Sequence, residues 1–471
     1  MRTKLFCLTA WFSLACASGA AVAQTQTAGD AAAPEAASAG SLLSDPCSDD
    51  LGALTGDWNG VRARLAKDQG VAFCLQEQSE GWANLAGGVR RGAVYTGLTT
   101  ASVKATDPFG LEGVTFMLSM FQMHGRGATA NLTGNLQTIG NTEATRGFKL
   151  YNLWIEKALL GGDLTIRVGQ EGANDEFMLA KSAASFINSS FGFPASMALS
   201  LPSGGPNYPL ATPMVRVQYK VSPQIVAMAA VFNGDPAGPG TNVPQIRDRT
   251  GTAFRMRDGT FGIAELWYSV GTEGAEGRPG VYKLGGWQHS GRFNDLRYDT
   301  VGRSLANPAS NGIARAYRGD WGAYAVFDQT IWRPAGDGDR GLNVFGLVSV
   351  GPDDRNLSNL FLQGGIAWNG PTEARSKDVA GLAFAYTGLS SAQRGLGSDL
   401  VRFGSATSAY AAHETIVELS YRYWVMPGLT LQPDLQYVFN PGAGIPNAAS
   451  NGLALPLRNV FIAGLRATLT F

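Results

Sequence analysis

Asn152, Trp154 and Glu156 share one face of a segment whose other face is Tyr151, Leu153 and Ile155, and in the next segment Thr165 and Arg167 oppose Leu164, Ile166 and Val168. A guanidinium offers donors in a fixed fork, a carboxylate offers acceptors, and an indole offers an apolar platform. Such a set suits weak, reversible binding of a neutral polyol, whose hydroxyls donate and accept and whose C–H faces stack. Arg91, which shares a face with Tyr95, joins Trp154, Glu156 and Arg167 as a candidate. Asp175 and Glu176 complete the set from a segment, about 171–207, that is too long for a turn. Its Phe186, Phe191 and Phe193 are out of place on a solvated tip, so it is expected to fold inward and narrow an opening. Plainer roles stand beside these: a structural charge ladder for Arg91, Glu156 and Arg167, an interfacial girdle for Trp154, and solvated loop acids for Asp175 and Glu176.

The elements that carry these residues repeat with a period of two, the signature of β-strands. Phe461, Ala463, Leu465, Ala467, Leu469 and Phe471 oppose Ile462, Gly464, Arg466, Thr468 and Thr470. Thr415 to Val425 and Leu429 to Phe439 alternate in the same way, at about the 9–11 residues that a tilted strand needs to cross a bilayer. Lipid exposure of a mid-membrane basic residue costs roughly 2–4 kcal/mol, so Glu156 and Arg167 point inward. From Val71 onward, strand-like stretches follow one another between Gly, Pro, Asn and Asp clusters, with no helix of ordinary length among them. Dividing about 400 residues by the roughly 25 that one strand and its connections use predicts an all-β, transmembrane antiparallel barrel of about 16 strands around a hydrated interior.

Arg2 and Lys4 precede an apolar run from Leu5 to Ala17 and the small-residue site Ala21-Val22-Ala23, a pattern for a signal peptide over 1–23. Residues 24–50, rich in Ala and Ser, read as a disordered periplasmic tether. Residues 51–70 read as a short periplasmic amphipathic helix, with Trp58, Val61 and Leu65 on one face, Thr55 or Asp57 as the cap and Gly70 as the stop. The barrel is expected over 71–471. Cys47 and Cys74 remain in an oxidising compartment, either bridged or as separate thiols.

The 37 Lys+Arg balance the 37 Asp+Glu, and losing Arg2 and Lys4 tips that balance only slightly toward acid. No global field favours nucleic acid or one sign of ion. His124, His289 and His413 are scattered, forming neither a metal-ligand spacing nor a nucleophile motif, so neither an enzyme nor a metal site is expected.

Several motifs occur in an order that resembles the OprB-type carbohydrate-selective porins of the outer membrane. They include Leu54-Thr55-Gly56-Asp57-Trp58, Gly87-Gly88 before Arg91-Gly92, Arg167-Val168-Gly169-Gln170, Phe186-Ile187-Asn188-Ser189-Ser190-Phe191-Gly192, Gly351-Pro352-Asp353-Asp354-Arg355-Asn356 and Leu431-Gln432-Pro433-Asp434. The resemblance spans Leu54 to Phe471. It implies a 16-stranded barrel, commonly a monomer or weak oligomer, with an eyelet of Arg, acidic and aromatic side chains that passes glucose and related small neutral sugars without a cofactor. The N-terminal helix would sit at the periplasmic mouth. The strand ending at Phe471 would engage the barrel assembly machinery, and the belt would contact outer-membrane lipid. Ser290–Arg318 and Ser390–His413 do not match the family pattern. The competing classes are a general or organic-acid/anion-selective porin, in which the arginines act as an ion filter, and a surface adhesin.

Overall fold

The computed structural model describes residues 52–271, 277–334, 340–445 and 456–471. Sixteen strands close on themselves, each antiparallel to its neighbours. The first eight are Val71–Ala86 (β1), Gly92–Thr106 (β2), Val114–Gly125 (β3), Gly147–Leu159 (β4), Leu164–Glu171 (β5), Thr212–Lys220 (β6), Ile225–Asn233 (β7) and Thr260–Val270 (β8). Gly280–Asp299 (β9), Ala314–Trp332 (β10), Gly341–Val350 (β11), Ser358–Asn369 (β12), Val379–Leu389 (β13), His413–Met426 (β14), Leu429–Phe439 (β15) and Val460–Thr470 (β16) complete the ring. Closure is between β1 and β16, in a register that pairs Gln76 with Thr470 and Gly81 with Leu465.

The alternation in the sequence becomes the two faces of the wall. Along β16, Phe461 and Leu465 stand outside while Ile462, Arg466 and Thr470 are buried within. Closing the ring pairs the backbone of the wall throughout, which a chain in lipid requires. No described helix is long and apolar enough to cross a membrane. Turns such as 221–224 and 427–428 lie at one end and longer loops at the other. In barrels of this kind the short turns face the periplasm.

At the turn-bearing end Val61–Gln69 is helical. Asp57 Oδ1 accepts the Ala63 amide at 2.9 Å, and Gly70, at φ 66°, ends the helix. A Cβ at Gly70 would lie 1.7 Å from the Thr106 carbonyl, so only glycine lets the chain run this close to β2. Trp58 packs on Phe73 at 5.0 Å, with the Arg62 guanidinium 5.2 Å from the Phe73 ring. The helix buries none of its residues, and its hold on the barrel comes from this contact, from Arg62 donating to the Phe73 carbonyl at 3.1 Å and from the Gly70 carbonyl accepting the Thr106 amide at 2.7 Å. Cys74 faces the lumen and is disulfide-bonded; Cys47, the proposed signal peptide and most of the proposed tether lie outside the described residues.

Two expectations fail. Ser391–Arg402 is a 12-residue helix, capped by Ser390 Oγ, which accepts the Gln393 amide at 3.2 Å. Gly395 and Gly397 disguise it in the sequence because glycine disfavours helices. The interior is also not uniformly hydrated: the inner faces of β7 to β13 carry a continuous apolar cluster that includes Met228, Phe232, Phe261, Trp287, Phe345 and Phe361.

Candidate functional site

That apolar inner wall is covered by the connection between β5 and β6, residues 172–211, which crosses the inside of the barrel. Phe186 packs against Phe191 at 5.0 Å and against Phe345 of β11 at 5.6 Å, and Phe177 meets Phe232 of β7 at 6.5 Å. Four backbone amides within residues 178–188 are held by acids from the wall. Glu265 of β8 accepts from Met178 N at 2.5 Å, and Asp328 of β10 accepts from Ser182 N at 2.6 Å and from its hydroxyl at 2.9 Å. Glu418 of β14 accepts from Ile187 N and Asn188 N at 2.6 and 2.9 Å. Each bond satisfies a loop amide that would otherwise be buried without a partner. Lys181 and Ala184 remain exposed along this path.

The connection between β3 and β4, residues 126–146, enters beside it. Glu414 of β14 accepts the amides of Leu136 and Gln137, both at 2.8 Å. Asn141 N donates to Ile187 O at 2.8 Å and Ser189 N to Thr138 O at 3.0 Å, which joins the two loops. Glu143 braces the turn from within by accepting from the Thr129 amide and hydroxyl and the Gly140 amide. Burial pushes its carboxyl up to about 7 against the opposing pull of those amides.

Where the 172–211 connection leaves β5, the charged residues converge. Arg167 and Arg216 are directly paired across β5 and β6, and Glu156 of β4 is paired with Arg167. Opposed like charges repel, and three carboxylates fill the space around them. Arg167 contacts Glu156 at 3.0 Å, Glu171 at 2.7 Å and Glu176 at 2.9 Å. Arg216 reaches Glu156 at 2.6 Å and holds Glu176 through two bonds, at 2.7 and 2.8 Å. The Arg167 guanidinium lies 3.7 Å from the centroid of the Trp154 ring, a desolvated cation–π contact. Asp175 accepts from Asn152 Nδ2 at 3.0 Å. Most of these side chains are buried; that of Glu156, at 18% exposure, stays the most open. A second cation–indole–acid group lies farther round the wall, with Lys283 Nζ 4.2 Å from the Trp267 ring and 4.0 Å from Glu265.

Five of the sequence candidates, Trp154, Glu156, Arg167, Asp175 and Glu176, thus lie in one region. Arg91 does not: it is exposed in the hairpin before β2, and Tyr95, its supposed neighbour in an eyelet, faces outward. Gly92 begins the strand after Arg91, so the parity argument had no strand to act on. Sequence reasoning missed Arg216, although it stands at inward parity between Met214 and Gln218. It also missed the 126–146 loop, whose length and buried Leu132 and Ile139 are the signals that the longer loop also gave. Among the described residues no cluster of His, Cys, Asp and Glu could hold a metal ion.

Residues 90–471 match the family model for "Carbohydrate-selective porin, OprB family". Porin B of Pseudomonas aeruginosa is 24% identical over 427 residues, covering 85% of this chain and 90% of that protein. The putative porin QuiX of Acinetobacter baylyi is 22% identical over 451 residues, covering 91% and 95%. The high-pH structure of Pseudomonas putida OprB superposes with a TM-score of 0.77 at 21% identity, over 89% of this chain and 98% of that one, a likeness of fold. With a closed 16-strand wall, long loops turned inward and a family match over most of its length, this chain belongs to the OprB family of carbohydrate-selective porins and is a channel of the bacterial outer membrane.

Proposed function

We propose that the chain passes monosaccharides such as glucose by passive diffusion through an eyelet formed where the 172–211 connection meets β4 to β6, with Glu156, Arg167 and Trp154 at its polar side. The observation that carries this reading is charge compensation. Arg167 and Arg216 are neutralised by Glu156, Glu171 and Glu176 at 2.6–3.0 Å, so the region holds donors and acceptors without an excess of positive charge. A neutral polyol exchanges its water hydrogen bonds for such groups, whereas an anion filter needs guanidiniums without partners. Arg216 joins the set on the same ground. Asp175 and Glu176 hold the connection against the wall and set the width of the opening. Flux needs no cofactor, and a weak, millimolar-scale site lets the solute leave.

Single-channel conductance in planar bilayers tests this while glucose, a disaccharide and then succinate are titrated. Saturable block by glucose with weak cation/anion discrimination is expected, and Arg167→Ala should weaken that block at least several-fold while Arg91→Ala leaves it unchanged. Conductance indifferent to glucose but responsive to succinate would replace this reading with an organic-acid channel.

A further inference from the structure

At the long-loop end of the barrel lies a cavity of about 360 Å³ whose walls come from three connections. The pairing of β8 with β9 ends at Phe261 and His289, and β9 and β10 continue past it as a hairpin, to Asp299 and from Ala314. This hairpin supplies Arg297, Tyr298, Arg315 and Tyr317. Asp353, from the 351–357 connection, and Ser391, at the start of the helix Ser391–Arg402, complete the lining. The three walls are tied to one another. Leu296 N donates to Asp354 O at 2.9 Å and Arg355 Nη1 to Gly319 O at 2.8 Å, which joins the hairpin to the 351–357 connection. Ser391 N donates to Asp353 Oδ1 at 2.7 Å, and its hydroxyl bonds the other oxygen of that carboxylate. Arg297 Nε donates to Asp399 Oδ2 at 2.8 Å and draws the helix against the hairpin. Gly395 allows this approach, since a Cβ there would stand 2.3 Å from Arg297 Nη1. The cavity is therefore preformed, and a ligand orders little on entry.

Its chemistry favours an uncharged, hydroxyl-rich ligand over an ion. Arg297 is matched by Asp399 and Arg355 by Asp354, at 2.8 and 2.7 Å, and Asp353 takes both Ser391 donors, so neither sign of charge stands in excess. Asp295, buried behind the lining, accepts the Arg297 and Tyr298 amides and the Tyr317 hydroxyl, each at 2.8 Å, and so fixes both tyrosines. The Arg355 guanidinium lies 4.1 Å from the centroid of the Tyr317 ring and covers it, whereas Tyr298 stays exposed. An exposed ring is a platform for a C–H face, and a carboxylate with about four lone-pair sites can accept beyond the two Ser391 bonds. The volume falls within the roughly 300–1,000 Å³ of small-ligand sites.

We propose that this cavity is a second saccharide site, a capture point at the outer mouth, with Tyr298 under the C–H face of the sugar and Arg315 and Asp353 hydrogen-bonded to its hydroxyls. The inference rests on the reading of the channel as a sugar porin and adds a site ahead of the eyelet. Two of the three walls come from Ser290–Arg318 and Ser390–His413, the segments that depart from the family pattern. The site therefore belongs to the preference of this chain rather than to the route it shares with its family. Two weak sites in series let a solute be gathered without being retained.

Saturation-transfer NMR of the purified full chain in detergent micelles tests this, with maltose as the probe. Transfer to maltose should saturate in the millimolar range and persist both in Arg167→Ala and in Tyr298→Phe, which keeps the ring. It should fall at least five-fold in Tyr298→Ala and, independently, in Arg315→Ala, each checked as a folded barrel by its gel migration before boiling. Transfer that depends on Arg167, transfer indifferent to Tyr298 and Arg315, or no transfer from the wild type would each overturn the capture site. Glucose block in planar bilayers is read separately. If block holds while maltose transfer fails, only the capture site falls; if block fails while maltose transfer follows Tyr298, only the eyelet reading falls.

Discussion

The inner wall has two sides that differ in how much of their hold on a loop is packing and how much is hydrogen bonding. From β7 to β13 it is apolar, and the 172–211 connection is held there chiefly by Phe186, Phe191 and Phe177 packed on Phe345 and Phe232. From β14 round to β6 polar groups interrupt two smaller apolar clusters, and loops are held by Glu414 and Glu418 on their amides and by Arg167 and Arg216 on their acids. Packing is insensitive to small changes in direction and strongly sensitive to lost volume. Hydrogen bonds to backbone amides are the reverse: they fix position to within a few tenths of an ångström. Packing, concentrated on the apolar side, supplies adhesion, and the acids that accept main-chain amides, Glu265 and Asp328 on that side and Glu418 on the other, set where the loop lies.

The contrast predicts graded outcomes. Phe186→Ala should weaken loop docking most, by about 3–5 kcal/mol, because it leaves a cavity among buried rings. Limited proteolysis within 178–192 of the folded barrel should accelerate, and channel noise should rise as the loop moves. Glu418→Ala removes the acceptor for two amides and should cost about 2–3 kcal/mol; its mark is a raised, steady conductance, since the loop shifts but stays adhered. If the two variants gave the same noise and the same conductance, the division of labour would be wrong. Arg167→Lys keeps the charge and loses the planar fork, so a loss of about 1 kcal/mol is expected, read as weaker glucose block at unchanged conductance.

The smallest effect concerns pH. Glu143, whose carboxyl burial raises from 4.5 to about 7, contributes docking stability that is fully present below about 4.5 and is lost as pH rises through 7. The side chain is only half-buried, so the span is about 1 kcal/mol after solvent screening. Glu143→Gln should flatten the pH dependence of protease resistance in residues 126–146 across that window, while residues 178–192 keep theirs.

The wall was legible because its strands alternate. Where Asn152, Trp154 and Glu156 interleave with Leu153 and Ile155, parity alone assigns the inward face, and the 16-strand count follows from length. β7 shows the limit: Ile225, Val226, Ala227, Met228, Ala229, Ala230 and Val231 are apolar on both faces, so nothing in that strand says that its inner side awaits a loop. The lid for that wall is encoded far away, in the phenylalanines of 186–193, and only the fold brings the two together. Arg216 was legible by the same parity as Arg167 and was passed over. Arg91 was misplaced because a two-residue periodicity was extended beyond the end of its strand.

Three wall acids, Glu265, Asp328 and Glu418, grip the crossing loop chiefly through main-chain amides, with the Ser182 hydroxyl adding a side-chain bond to Asp328. Every amino acid but proline brings the same amide to these points. Away from the phenylalanines and acids that anchor it, the path of the loop is therefore indifferent to side-chain type, and the exposed positions along it, Lys181 and Ala184 among them, can change chemistry without moving the frame. A lineage that meets a new solute can rewrite the lining one residue at a time, and an engineer can do the same, keeping the barrel and its strut as a fixed chassis.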